Sequence, residues 1–244
     1  VLIPSPRHTD TDLRVWAELE DADRAWGESR RVAWKAAGSM AAIHQFLREG
    51  PAYCGVSWGK DSVVLAEMAC WVGSQHGLIA PLIWVRVDPV GNPDCPAVRD
   101  AFLSRWPHHP YHEIGVGHDG RGTGRLKKGF AEVGRRFGLR HLSGLRADES
   151  GGRKISMRHR GLVTEKSCRP LGWWTAADVF GFLAFHGLPV HPAYACLGGG
   201  RWLREHLRVA TLGGERGSQF GRAEWEREYY GDYLNRLSCH DRNV

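Results

Sequence analysis

The stretch Ser57-Trp58-Gly59-Lys60-Asp61-Ser62 has residue types and a spacing suited to holding an anion. It lies between a short apolar run, Ala52 to Val56, and an apolar-periodic one that opens Val63-Val64-Leu65-Ala66. That order reads as strand, tight turn and helix. The first N–H groups of a helix lack internal partners, and the helix dipole adds partial positive charge there. Gly59 lets the backbone approach a phosphate, and Lys60 adds a full charge. Ser62 and Asp61 can cap the helix, and Asp61 can also face a magnesium ion held by the phosphates. The plainer alternative is an ordinary capped strand–helix turn.

A second cluster follows the segment Arg140-His141-Leu142-Ser143-Gly144-Leu145, which reads as a strand. It runs Arg146-Ala147-Asp148-Glu149-Ser150-Gly151-Gly152-Arg153 and falls at a strand's carboxyl end, the same sheet edge as the Ser57–Ser62 loop. Gly144 permits close approach, Arg146 and Arg153 can make paired N–H contacts to phosphate oxygens, and Glu149 can position an arginine or a hydrated metal. The alternative for both arginines is a surface salt bridge with Asp148 or Glu149. Asp88 ends the strand-like run Leu82 to Asp88, at the correct edge to reach a ribose or base, although an Asp that starts a Pro turn is the other reading. Trp173 and Trp174 read as helix-entry packing or as stacking platforms. His191, in the Pro-rich turn Leu188 to Tyr194, reads as a packing histidine or a group on the substrate side.

Stepping outward, residues 1–10 form an arm and residues 11–49 have a helical pattern that Gly38 can break in two. Strands are expected at 52–56, 82–88, 111–116 and 139–145, with helices at 62–76, 96–106 and 125–137 and a glycine-rich loop at 115–124. Alternating strands and helices predict a parallel, Rossmann-like α/β sheet with helices on both faces and helical N- and C-terminal additions. The implied organisation is a helical extension over 1–49, a nucleotide-binding domain over 50–195 and a helical segment over 196–244.

The chain has 244 residues, 42% of them hydrophobic, and no apolar run near 18 residues, so no membrane span is expected. Its beginning lacks the charged-then-apolar order of a secretion signal, and a cytoplasmic location is the default. The six cysteines, at 54, 70, 95, 168, 196 and 239, form no Cys-x-x-Cys pair, so neither zinc nor an iron–sulfur cluster is expected. The net charge of +6 is uneven: residues 121–169 hold 14 Lys/Arg against 4 Asp/Glu, a net of +10. Such a block suits nucleotide phosphates, a DNA or RNA backbone, or simply a solvated basic face.

The Walker-A loop places four residues between its first Gly and the Gly-Lys-Ser/Thr, and this chain has no such upstream Gly. Ser57 to Ser62 instead resembles the Ser-Gly-Gly-Lys-Asp-Ser loop of the PP-loop, or adenine-nucleotide α-hydrolase, superfamily. Trp58 stands where that pattern has Gly. Gly144, Arg146, Glu149, Ser150 and Arg153 resemble the Gly-x-Arg-x-x-Glu-Ser-x-x-Arg element of the phosphoadenosine phosphosulfate (PAPS) reductase family. Arg169-Pro170-Leu171, Thr175 with Asp178, and Pro189-Val190-His191-Pro192-Ala193-Tyr194 extend the likeness in order over 53–194.

The resemblance implies an ATP-dependent enzyme that cleaves between the α- and β-phosphates and leaves an adenylate and pyrophosphate. The ATP pyrophosphatases of DNA phosphorothioation are relatives of this kind. Lys60 and Arg146 would neutralise phosphates, Asp61 would hold magnesium and Arg153 would grip pyrophosphate, with Ser57, Trp58, Gly59, Ser62, Asp88, Gly144, Glu149 and Ser150 around the nucleotide. Arg158, His191 and Cys239 would lie towards the second substrate, and sulfur-transfer proteins would be partners. A PAPS reductase using Cys239 as nucleophile is the alternative, although the Glu-Cys-Gly-x-His tail of those enzymes is matched only by Cys239 and a displaced His240. A nucleotide-binding module without catalysis is the third reading.

Overall fold

The computed structural model describes residues 1–117, 124–207, 209, 211–213 and 222–240. Two helices come first, α1 (Asp10–Gly27) and α2 (Arg30–Arg48). Gly38 does not separate them. It sits on the exposed face of α2, while the break falls at Glu28, and Ser29 starts α2 by accepting the Val32 N–H with its hydroxyl.

The sheet is all parallel, in the order β3-β2-β1-β4-β5. Its strands are β1 (Tyr53–Val56), β2 (Leu82–Asp88), β3 (Tyr111–Gly117), β4 (His141–Leu142) and β5 (Ser167–Cys168). Helices α3 (Lys60–His76), α4 (Cys95–Leu103), α5 (Gly124–Phe137), α6 (Gly151–Arg160) and α7 (Ala176–Phe185) fall between and after them. The Rossmann-like expectation therefore holds. β4 is shorter than the 139–145 expected, and beyond it Gly144 packs against the Asp61 backbone at the start of α3. β5 was not foreseen: its two residues carry no hydrophobic period, and pairing with β4 alone makes it a strand.

Chain order runs from β1 outward to β3, then returns to the other side of β1 for β4. The point of reversal is between β1 and β4, where Tyr53 pairs His141 and Cys54 pairs Leu142. A parallel sheet opens a crevice at the carboxyl ends of strands on either side of such a point. The Ser57 loop after β1 and the Ser143–Gly144 segment after β4 both emerge there.

The flanking segments share this core. Val32, Ile43 and Phe46 of α2 pack in one buried cluster with Val64 and Leu65 of α3 and with Trp225 and Tyr230 of α8 (Arg222–His240). Asp12 of α1 is fully buried and accepts the N–H groups of Leu197 (3.1 Å) and Gly199 (3.0 Å) and the Tyr229 hydroxyl (2.8 Å). Arg204 closes a paired contact on Asp23, both bonds 2.6 Å. Among the described residues no helix is long and apolar enough to cross a membrane.

Candidate functional site

The loop from β1 to α3 is held from within. Ser62, inside the first turn, accepts the Ser57 N–H at 3.2 Å and donates to the Gly59 carbonyl at 3.0 Å. The N-cap residue is Gly59, so Ser62 and Asp61 do not cap α3 as expected. A Cβ on Gly59 would lie 2.8 Å from Val209 and 3.2 Å from the Tyr194 hydroxyl, which is why the position takes glycine. Trp58 adopts the left-handed conformation, φ 61°, that glycine takes most easily. Its ring turns under the loop, fully buried, edge-on to Trp84 and Tyr111 and against Phe102.

Lys60 opens α3 with its side chain only 4% exposed. Its backbone N–H donates to the Tyr194 hydroxyl at 3.2 Å, and its ammonium lies 5.2 Å from the Tyr194 ring centre. Burial raises the Tyr194 pKa, so this hydroxyl stays protonated. The Lys60 ammonium pairs with Asp61 Oδ2 at 3.2 Å, and Arg146 Nε donates to Asp61 Oδ1 at 2.5 Å. Gly144 lets the second cluster come this close: a Cβ there would sit 3.1 Å from the Asp61 carbonyl. Arg146 continues to Asp148 (3.4 Å) and the Trp174 carbonyl (3.3 Å), and its own N–H donates to Glu149 Oε2 at 3.3 Å. Glu149 also pairs with Arg153.

A cavity of about 710 Å³ opens over this arrangement. Ser57, Gly59, Lys60, Asp61, Ser62, Gly144, Glu149 and Arg153 line it, which brings both sequence clusters to one place. Other expected residues lie elsewhere. Trp58 is beneath the loop. Arg146 sits behind Asp61, its guanidinium engaged by Asp61, Asp148 and Trp174, so it does not face the cavity. Asp88 pairs with Arg86 at 3.1 Å beside the cavity. Ser150 caps α6 by accepting the Arg153 N–H. Arg158 is exposed farther along α6.

His191 is buried and away from the lining. Its Nδ1 accepts the Ala193 N–H at 3.1 Å, which leaves a neutral ring's proton on Nε2, 3.7 Å from Cys95 Sγ. Burial, and then Arg7, push its pKa down to about 3, and burial pushes the Cys95 thiol up to about 12. His191 is therefore an uncharged interior group, one contact behind the cavity wall to which the uncharged Cys95 belongs. Cys239 lies on α8, with its side chain outside the described residues.

Several lining residues had no signal in the site motifs. Leu126 and Phe130 come from α5, Cys95 from the start of α4, and Leu207, Val209 and Thr211 from the segment before α8. Tyr194 was legible only as the last residue of its Pro-rich segment.

Asp61 does not fit direct magnesium ligation, because both its oxygens are held by cations. Glu149 takes the Arg146 backbone N–H and the Arg153 guanidinium on the same oxygen, Oε2. Among the described residues no three His, Cys, Asp or Glu converge as metal ligands.

No family model matches the chain, and no curated protein matches it. Solved structures resemble it in outline. Candida glabrata FMN adenylyltransferase with FMN and the ATP analogue AMPCPP is 14% identical, with 68% of this chain and 63% of that one covered and a TM-score of 0.48. The same enzyme in complex with ATP gives 14%, 78% and 70%, and 0.48. The U34-tRNA thiolase NcsA from Methanococcus maripaludis, with its [4Fe-4S] cluster, gives 18%, 65% and 66%, and 0.43. The chain thus spans under two thirds of the first of these, and likenesses this distant do not bear on function.

Proposed function

We propose that the chain is a PP-loop ATP pyrophosphatase of the PAPS reductase family, which binds ATP over the Ser57–Ser62 loop and cleaves its α–β bond. The observation that carries this reading is the nearly buried Lys60 ammonium at the first turn of α3, opening on the cavity at the sheet's point of reversal. Cavities of roughly 300–1,000 Å³ are typical for small-molecule ligands. The order of both motifs along the sequence supports the nucleotide and the bond cleaved.

An oxygen of water or of an acceptor attacks the α-phosphorus. The bond to the α–β bridging oxygen breaks, its electron pair stays on that oxygen, and pyrophosphate leaves. Such chemistry needs mainly positioning and neutralisation of charge. The Lys60 side chain, at the positive end of the α3 dipole, faces the phosphates, and Arg153 holds the departing pyrophosphate. Asp61 fixes the Lys60 ammonium. Arg146 acts at one remove as the positioning residue that fixes Asp61. Magnesium would come with the phosphates as part of the substrate.

The product adenylate activates an acceptor for sulfur incorporation with a sulfur-transfer partner. Nucleic acid is the acceptor that the charge favours. Lys127, Lys128, Arg135 and Arg136 are exposed on α5 and Arg158 and Arg160 on α6, and both helices contribute residues to the cavity wall.

Calorimetric titration with ATP tests the site. Lys60→Ala is expected to weaken binding by about 1.5–3 kcal/mol, the range for a hydrogen bond to a charged group. Equal affinity in the two proteins would remove the loop from the site.

A further inference from the structure

A second cavity, of about 390 Å³, lies on the other side of the turn that carries Glu149. Along this turn and the start of α6 the side chains divide. Glu149 and Arg153 line the first cavity, while Asp148, Ser150 and Lys154 line the second. Its far wall is the segment Gly172 to Thr175, from which Trp173 stays 45% exposed. The Trp173 backbone is fixed: its carbonyl accepts the Lys35 ammonium at 2.8 Å, and Lys35 is in turn held by the buried Asp178 at 2.5 Å. At Gly151 and Gly152 an added Cβ would meet nothing within 4 Å, so this edge of the cavity is open.

A half-exposed indole on a fixed backbone is a flat apolar surface; the lining holds one carboxylate, Asp148, which Arg146 engages at 3.4 Å, and the cations of α6 outnumber it. Lys154 stands at the cavity, with Arg158 one helical turn farther along the same face of α6, both exposed. A planar aromatic ring carried on a polyanionic chain matches both features. Single-stranded nucleic acid has that chemistry, since each unpaired base offers a face for stacking and each phosphate a charge. A duplex keeps its bases stacked internally and would offer only its backbone.

We infer that the second cavity is a base-stacking subsite for a single-stranded polynucleotide, with Trp173 as the platform and Lys154 and Arg158 along the backbone. A strand seated there crosses the Asp148–Lys154 ridge, which places a neighbouring nucleotide at the mouth of the first cavity. This inference rests on the proposed function only for the reason the strand is held.

Fluorescence anisotropy with labelled oligo-dT and oligo-U of about 12 nucleotides, within the usual site size, tests it. Trp173→Ala is expected to lower affinity by roughly five- to a hundredfold, and Trp173→Phe to retain most of it. The loss should disappear on an abasic strand of the same length, which has phosphates and no bases. Lys154→Ala should flatten the slope of log affinity against log salt by about 0.7, one single-strand phosphate contact. ATP affinity, measured by calorimetry on the same Trp173→Ala protein, should be unchanged.

Undiminished oligonucleotide binding by Trp173→Ala, an equal loss on the abasic strand, or no binding by the unmodified protein at about 50 mM salt would overturn the inference. A polyglutamate peptide that binds with the same Trp173 dependence would also overturn it, by giving the cavity to an acidic protein segment. Oligonucleotide binding without ATP binding would instead sink the nucleotide reading alone.

Discussion

Trp58 shows how one residue can break a sequence pattern without breaking the loop. A left-handed backbone costs a residue with a Cβ about 1–2 kcal/mol, and the resembled pattern avoids that cost with glycine. Here the indole is fully buried between β2, β3 and α4, and its contacts offset the strain. Truncating a large buried aromatic typically costs about 3–5 kcal/mol. Trp58→Gly should therefore lose about 1–4 kcal/mol net in urea unfolding, despite restoring the pattern's own residue. A neutral or stabilised variant would mean that the ring contributes no packing. Arg146 teaches the converse. Its motif was legible, but whether an arginine faces a cavity or braces a neighbour depends on where the fold puts Asp61, and no local pattern contains that.

Elements were legible in proportion to their own hydrophobic period. β2, α3 and α5 announce themselves. β4 and β5 have two residues each and exist by pairing. The part of the cavity wall formed by Leu207, Val209 and Thr211 is placed by contacts far along the chain, such as the neighbouring Leu212 N–H to the Val90 carbonyl, so its sequence gave no warning. The start of α7 was readable as Thr175 with Asp178 three residues on, and both hydrogen bonds of that capping box are present.

Asp178 does more than cap. It is fully buried and also takes Lys35 at 2.5 Å, the Trp26 indole N–H at 3.2 Å and Arg31 at 3.4 Å. Burial raises its pKa, but the bonds from Lys35 and Thr175 outweigh it and hold the group down at about 2. Thr175→Ala should cost about 1 kcal/mol as a lost cap. Asp178→Ala should cost about 3–5 kcal/mol, because it strands a largely buried lysine. Equal costs in urea unfolding would show that the Lys35 pair contributes nothing.

At the scale of the whole molecule, the helical segments before and after the sheet share its core, so their loss should be felt at the site. Stability against pH offers a check on this interior. His191 is held neutral by burial, with a folded pKa of about 3 against the ordinary 6.5. The unfolded chain therefore binds the extra proton first. Its contribution is complete above about pH 6.5 and falls by about 1.4 kcal/mol per unit as the pH drops towards 3. From pH 7 to 5 the protein should lose about 2 kcal/mol more than His191→Asn. His109 and His186, also lowered by burial, act with the same sign in both proteins. Parallel stability curves would show that His191 is solvated.

The central claim concerns which phosphate bond breaks in the cavity over Lys60. ATP labelled at both the α- and γ-phosphates, incubated with magnesium and the protein, gives products that separate by chromatography. The account predicts AMP, free or joined to an acceptor, with pyrophosphate in equal amount, and predicts that both disappear with Lys60→Ala. ADP with inorganic phosphate as the main products would contradict it.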